Sequence, residues 1–353
     1  MIYRKVDLSD GSRRRLTSWC FAVTRRLELA ERVHTLILGL DSDMSLTSDI
    51  ATVARALARC VNVKHLSVLD VTKGTRKFVT ANECIQGWVL NNCTFRLEKF
   101  TNNFFKNSLL SRFWNDQSSI RILSLPSCRE SFPCYADQLP NLTGLEVGRI
   151  EALPADRPLE RLHLNIYPMF EGLATLSQYS PTLTTLNLTT HQYAPEFTAR
   201  EIIAKVALEV PGLLHFGFVE RQLEGELSGS TEPSPIGALA RFERLETFFC
   251  YMHNIVRFVD EASGHWYVLM IAPHLEKFGR DTMAACTTLR RVTVAHDMQI
   301  MHKSLRRRGG VQFKDSELVC SLTRAGAGDA GDEILIEHEK HFDKDKTSMF
   351  WSP

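Results

Sequence analysis

The chain has 353 residues, 44% hydrophobic and 24% charged, with a formal net charge of +1 at pH 7. It can bury a large core, and its bulk electrostatics give no reason to expect nucleic acid, an anionic membrane or an acidic substrate. The longest apolar run, Trp266 to Ala272, is far below the roughly 18 residues of a spanning helix, and the charged stretch Ile2 to Asp10 is no secretory leader, so a soluble protein is expected.

From the N-terminus, Ile2, Tyr3, Val6 and Leu8 read as a strand with no element before it. Leu16, Cys20, Val23 and Leu27 then put helical spacing on Arg15 to Leu29. A second strand carries three apolar residues in the pattern Leu-x-x-Leu-x-Leu, here Val33/Leu36/Leu38, and the pattern recurs as Val63/Leu66/Val68, Ile120/Leu123/Leu125, Leu142/Leu145/Val147, Leu159/Leu162/Leu164, Leu183/Leu186/Leu188, Leu213/Phe216/Phe218, Leu245/Phe248/Cys250 and Leu289/Val292/Val294. Two weaker copies, Leu97/Phe100/Asn102 and Leu275/Phe278/Arg280, lose the third apolar position. Such a unit is a short strand whose apolar side has to be buried by stacking on its neighbours.

Between strands, Ile50, Val53, Ala54 and Leu57 form an apolar helical face behind Thr47 and Ser48. Thr80 with Glu83 and Thr198 with Glu201 read as capping boxes, the second opening a helix that buries Ile202, Val206 and Val210 and stops at Pro211-Gly212. The predicted fold is α/β: an irregular leucine-rich-repeat-like solenoid with a curved parallel sheet on the concave face and helices and turns outside. It is irregular because first positions are 14 to 34 residues apart, whereas such repeats run about 20 to 29. The usual Asn or Cys after the last Leu is also mostly missing, Cys128 being the exception, so the turns must satisfy their backbone groups in other ways.

The expected domains are an N-terminal strand-helix cap over 1–32, the solenoid over 33–300 with a polar, flexible insertion at 220–235, and a C-terminal cap with a charged tail over 301–353. Leu318 to Leu322 and Ile334 to Ile336 are expected to close the sheet as a hairpin. The nine cysteines have no paired spacing, which points to reduced thiols in an intracellular protein of the cytoplasm or nucleus. The three Asn-x-Thr sequons, at Asn92, Asn141 and Asn187, are then chance.

The succession Ile2-Tyr3-Arg4-Lys5-Val6-Asp7-Leu8, helix, Leu29-Ala30-Glu31-Arg32-Val33 and the Leu36/Leu38 strand resembles the region directly after the F-box in divergent F-box proteins of basidiomycete fungi. The irregular repeats behind it are similar to those proteins' leucine-rich-like arrays. The resemblance implies the substrate-recognition half of a ubiquitin ligase. The F-box would lie before Ile2, so binding of a Skp-type adaptor is expected only if such a segment precedes this sequence; otherwise a stand-alone scaffold or decoy is the expectation.

Other motifs point to catalysis and fail on context. Gly326-Ala327-Gly328-Asp329-Ala330-Gly331 matches a dinucleotide fingerprint. The next five residues, Asp332-Glu333-Ile334-Leu335-Ile336, read as strand with two carboxylates, where the fingerprint needs a helix N-terminus. His338 and His341 are three residues apart instead of the four of a metalloprotease helix. The basic run Lys303 to Gly310 has no interleaved aromatics for base stacking. Cys250 occupies a core position, and no base is placed to activate it. No catalytic residue, cofactor or metal is therefore expected, and an enzyme built on the Gly326 to Gly331 loop or the His338/His341 tail is the alternative.

The positive expectation is a surface for an unknown protein partner. If first, fourth and sixth positions face the core, the third and fifth line the concave sheet face. That places His65, Lys99, Glu146, Arg161, His163, Thr185, Asn187 and Phe249 there, and Tyr251 joins them at a seventh position. Phe249 with Tyr251 is the expected hot spot, two neighbouring aromatics on an otherwise polar face, with Arg161 and His163 as its charged end.

Overall fold

The computed structural model describes residues 4–41, 47–71, 88–126, 137–155, 157–166, 170–191, 198–221, 236–251, 267–303, 311–324 and 334–339. The chain divides into two compact units, residues 1–159 and 160–353. Each is an α/β stack of leucine-rich-repeat type, in which successive repeats contribute strands that pair in parallel with the strand before.

In the first unit the strands are β1 (Lys5–Leu8), β2 (Thr35–Leu40), β3 (His65–Asp70), β4 (Lys99–Asn102), β5 (Ile122–Leu125) and β6 (Gly144–Val147). Their register aligns the fourth positions, so Val6, Leu36, Leu66, Phe100, Leu123 and Leu145 stand in one row on the core face. The strand before Val33 is thus itself the first member of the sheet. Helices α1 (Arg13–Arg25), α2 (Leu27–Ala30), α3 (Thr47–Arg59), α4 (Trp88–Asn91) and α5 (Ser111–Asn115) pack beside one another in chain order. Phe100, Phe113 and Trp114 form the aromatic centre of this core, with ring centroids 5.3 to 5.6 Å apart. Between β1 and α1, Gly11 turns the chain at φ +65, and a Cβ there would collide with Val71.

The second unit runs β7 (Arg161–Ile166), β8 (Thr185–His191), β9 (His215–Arg221), β10 (Thr247–Tyr251) and β11 (Arg291–Lys303) in parallel. Then β12 (Val311–Arg324) and β13 (Ile334–Glu339) reverse direction and pair antiparallel. Leu162, Leu186, Phe216, Phe248, Val292 and Leu322 form its core row. Helices α6 (Ala199–Glu209), α7 (Ile236–Leu239) and α8 (Tyr267–Ala285) pack in succession, and α8 lies on β11 and β12. Gly279 permits that approach, because a Cβ there would strike the Leu322 side chain.

How the turns satisfy their backbone is now visible. The carbonyl before many of the strands accepts two N–H groups from the next repeat: Arg4 O from His34 and Thr35, Lys64 O from Glu98 and Lys99, Thr184 O from Leu214 and His215, and Leu214 O from Glu246 and Thr247. Three residues before the first position of many repeats stands another buried residue, as at Ala30, Cys60, Gln117, Leu139, Val210, Phe242 and Cys286. Gln117 is polar there because its Oε1 accepts from Leu97 N (2.9 Å) and its Nε2 donates to Phe95 O (3.1 Å), which ties two repeats together.

Several expectations need correction. Arg15 to Leu29 is not one helix: the chain is extended at Arg26, and Leu27 is 48% exposed. The Thr198 capping box forms, with Glu201 N donating to Thr198 Oγ1 at 3.2 Å and Thr198 N to Glu201 Oε2 at 2.9 Å, but α6 buries Ile203 in place of Ile202. Leu275/Phe278/Arg280 is no repeat strand. It lies inside α8, since a spacing of three suits a helical turn as well as the start of a repeat, and the buried series continues at helical spacing to Thr282 and Cys286. Asn102, lacking the third Leu, still occupies the third core position at 2% exposure. Its Oδ1 accepts from Phe104 N and Phe105 N, and its Nδ2 donates to Phe105 O and Asn107 Oδ1, so it shapes the loop after β4.

Candidate functional site

Side chains at third, fifth and seventh positions project to the sheet face opposite the core rows. In the first unit this second face carries His65 and Lys99 side by side in register, with Ser124 and Glu146 one row further on. Ser124 Oγ donates to Glu146 Oε2. Burial pushes the Lys99 ammonium below the usual lysine value, while Glu146 pulls it back up. Burial likewise depresses His65, against Glu98, and Lys99 and Lys64 add to the depression.

In the second unit the face is laid out in three rows. The row at the strand starts is Arg161, Thr185, His215, Thr247, Arg291, Thr323 and, on β13, Leu335. The next holds His163, Asn187, Gly217, Phe249, Thr293 and Ser321, and the third Asn165, Thr189, Val219, Tyr251, Ala295 and Val319. The expected lining residues of this unit are therefore brought together, on adjacent strands about 4.8 Å apart. Hydrogen bonds run across the strands: His215 Nδ1 with Thr247 Oγ1 at 2.7 Å, Thr293 Oγ1 with Ser321 Oγ at 3.1 Å, and His163 Nε2 with Thr189 Oγ1 at 3.3 Å.

The expected hot spot is not exposed. Phe249 and Tyr251 are 6% and 7% exposed and form a buried cluster with Ala295 and Val319, Val219 packing against it. Period-two reasoning put the rings on the correct face, but it could not show that β11 and β12 bring Ala295 and Val319 beside them on that face. The polar centre is closed too: Thr185, Asn187 and Thr189 are buried. The Asn187 carboxamide lies over Gly217, where a Cβ would collide with its Oδ1, and its Nδ2 is buried without a hydrogen-bond partner. What stays open is the strand-start row on either side of Thr185, in which Arg161, His215 and Thr247 are half-buried and Arg291, Thr323 and Leu335 are exposed. Burial depresses His215, with Glu246 opposing and Arg161 adding to the shift.

Arg291 was within reach of sequence reasoning, being the third position of the repeat that begins at Leu289. Thr323 and Leu335 were not, because antiparallel pairing at the end of the sheet leaves no repeat signature. Of the catalytic candidates, Gly326 to Gly331, His341 and residues 304–310 lie outside the described residues, as do residues 222–235 of the expected insertion, Cys128 and the Thr80/Glu83 box. His338 is exposed on β13, and Cys250 is buried on the core face. Among the described residues, no three His, Cys, Asp or Glu side chains are grouped to hold a metal ion, and no helix is long and apolar enough to cross a membrane.

No family model and no curated protein matches the chain. Among solved structures it is similar to the leucine-rich repeat-containing protein LegL7 from Legionella pneumophila, at 13% identity over 84% of this chain and 82% of that one, with a TM-score of 0.41. The fold assignment rests on this chain's own strand register.

Proposed function

We propose that the chain is a non-catalytic protein-interaction module that receives its partner along the strand-start row of the second unit. The observation that carries this is the row itself: half-buried and exposed side chains on β7 and on β9 through β13, with Thr185 of β8 buried between them, beside second and third rows whose centre at Asn187, Thr189, Phe249 and Tyr251 is buried. Ladder hydrogen bonds hold the backbone beneath them, so these groups arrive preorganised and little ordering entropy opposes association. Arg161, His163 and Thr247 would line the contact, and Thr185, Asn187, Phe249 and Tyr251 would form its floor. His65, Lys99 and Glu146 make the corresponding surface of the first unit. Thr247→Trp tests the reading, since it fills the row without changing its charge. Loss of a natively captured partner at unchanged melting temperature is expected, and undiminished capture refutes the site.

The finer proposal is that the module selects substrates for a ubiquitin ligase of the F-box type in the cytoplasm or nucleus. It is supported by the resemblance of Ile2 to Leu38 to the region behind an F-box, and by six described cysteines that are free and buried, as in an intracellular protein. Affinity purification of the endogenous protein tests it. Recovery of a Skp-type adaptor with the partner is expected, and a partner recovered without adaptor leaves a scaffold or decoy.

A further inference from the structure

The strand-start row of the second unit has a period. Arg161 is on β7, His215 on β9, Arg291 on β11 and Leu335 on β13, so a cationic or imidazole group, and finally an apolar one, recurs at every second strand. Hydroxyls fill the strands between, at Thr185, Thr247 and Thr323. Two strand spacings are about 9.6 Å, close to the roughly 10 Å spanned by three residues of extended chain. No carboxylate stands in this row. Glu246 lies just before β10 and acts on His215, and Glu337 stands one row away on β13. Leu335, at the row's end, is one of the few large apolar side chains left open among the described residues, at 53% exposure. The net charge of +1 conceals this local arrangement.

We infer that the partner segment is an extended acidic peptide lying across the strands, with a carboxylate at every third residue, over Arg161, His215 and Arg291 in turn, and an apolar residue on Leu335. Guanidinium groups take carboxylates in two-pronged hydrogen bonds, His215 can donate to the carboxylate between them, and the hydroxyls of Thr247 and Thr323, though not of buried Thr185, can donate to the peptide. From Arg161 to Leu335 is six strand spacings, roughly 29 Å, which about ten extended residues span. This rests on the interaction-module reading and adds the chemistry of the occupant.

Fluorescence anisotropy of the whole chain with a labelled decapeptide, Glu-Ser-Ser-Glu-Ser-Ser-Glu-Ser-Ser-Leu, tests it. Saturable binding that weakens with salt is expected. At least a tenfold loss is expected in the Arg161→Glu/Arg291→Glu variant, and a smaller loss in Leu335→Ser, both at unchanged melting temperature. If the double variant unfolds, Arg291→Gln alone, at an exposed position, carries the comparison. Equal binding of the peptide with lysine in place of glutamate, undiminished binding by the variants, or no binding at millimolar peptide each overturns the proposal. Tighter binding of a ten-nucleotide oligouridylate overturns it in favour of a general polyanion site. If Thr247→Trp abolishes capture of the native partner while the acidic peptide fails to bind, the module reading stands and the acidic occupant falls.

Discussion

Replacing Asn102 by leucine restores the third apolar position of its repeat, yet it is expected to destabilise residues 1–159. Four hydrogen bonds are lost: Phe104 N and Phe105 N to Oδ1 (3.2 and 2.8 Å), and Nδ2 to Phe105 O and Asn107 Oδ1 (both 2.8 Å). Each is worth about 0.5 to 1.5 kcal/mol net, and a buried N–H left without a partner, as at Phe105, costs about 1 to 3 kcal/mol. Burial of the leucine returns about 2 kcal/mol. At mid-range values the balance is a loss of about 4 kcal/mol. For a unit of this size it lowers the melting temperature by about 8 to 16 °C, at about 2 to 4 °C per kcal/mol. Calorimetry on the whole chain reads the shift in the transition of the first unit. An unchanged or raised transition for Asn102→Leu would show that the loop does not depend on this side chain and would refute the reasoning.

Phe249→Ala with Tyr251→Ala is expected to lower the melting temperature of the second unit, because truncating a buried aromatic typically costs about 3 to 5 kcal/mol; an unchanged thermal transition would mean the rings are not packed as described. Burial holds His65 and His215 below their ordinary value of 6.5, so the unfolded chain binds more protons than the folded one as pH falls through that value, and stability is lost on acidification. Melting temperature should therefore drop between pH 7.5 and pH 5.5, and a His65→Asn/His215→Asn variant should flatten that profile; an equally steep profile in the variant removes these residues as the cause. Burial raises the thiols of Cys20, Cys60 and Cys93 to about 12, so iodoacetamide at pH 8 should leave them unmodified until the chain is unfolded, and alkylation of the native protein, read by peptide mass, would contradict their placement.

Much of the fold was legible because the repeat signature is local. Leu183/Leu186/Leu188 and its relatives set both a strand and the side to be buried, and the Thr198 box marked where α6 begins. The buried residue three positions before many repeats, apolar at Ala30 and Phe242 but polar at Gln117, escaped notice because its character varies. Leu275/Phe278 misled because the first four residues of a repeat and one helical turn share the same spacing.

The sequence by itself determined where most strands of the stack lie and which of their residues turn away from the core, since alternation along a strand is a property of consecutive residues. Only the tertiary structure decided which of those residues remain open. Phe249 and Tyr251 are closed because β11 and β12 set Ala295 and Val319 beside them, whereas Leu335 joins the row of Arg161 and Arg291 because β13 returns antiparallel to β12. Exposure and cross-strand neighbours depend on segments distant in the chain, whose pairing no local pattern of apolar residues encodes.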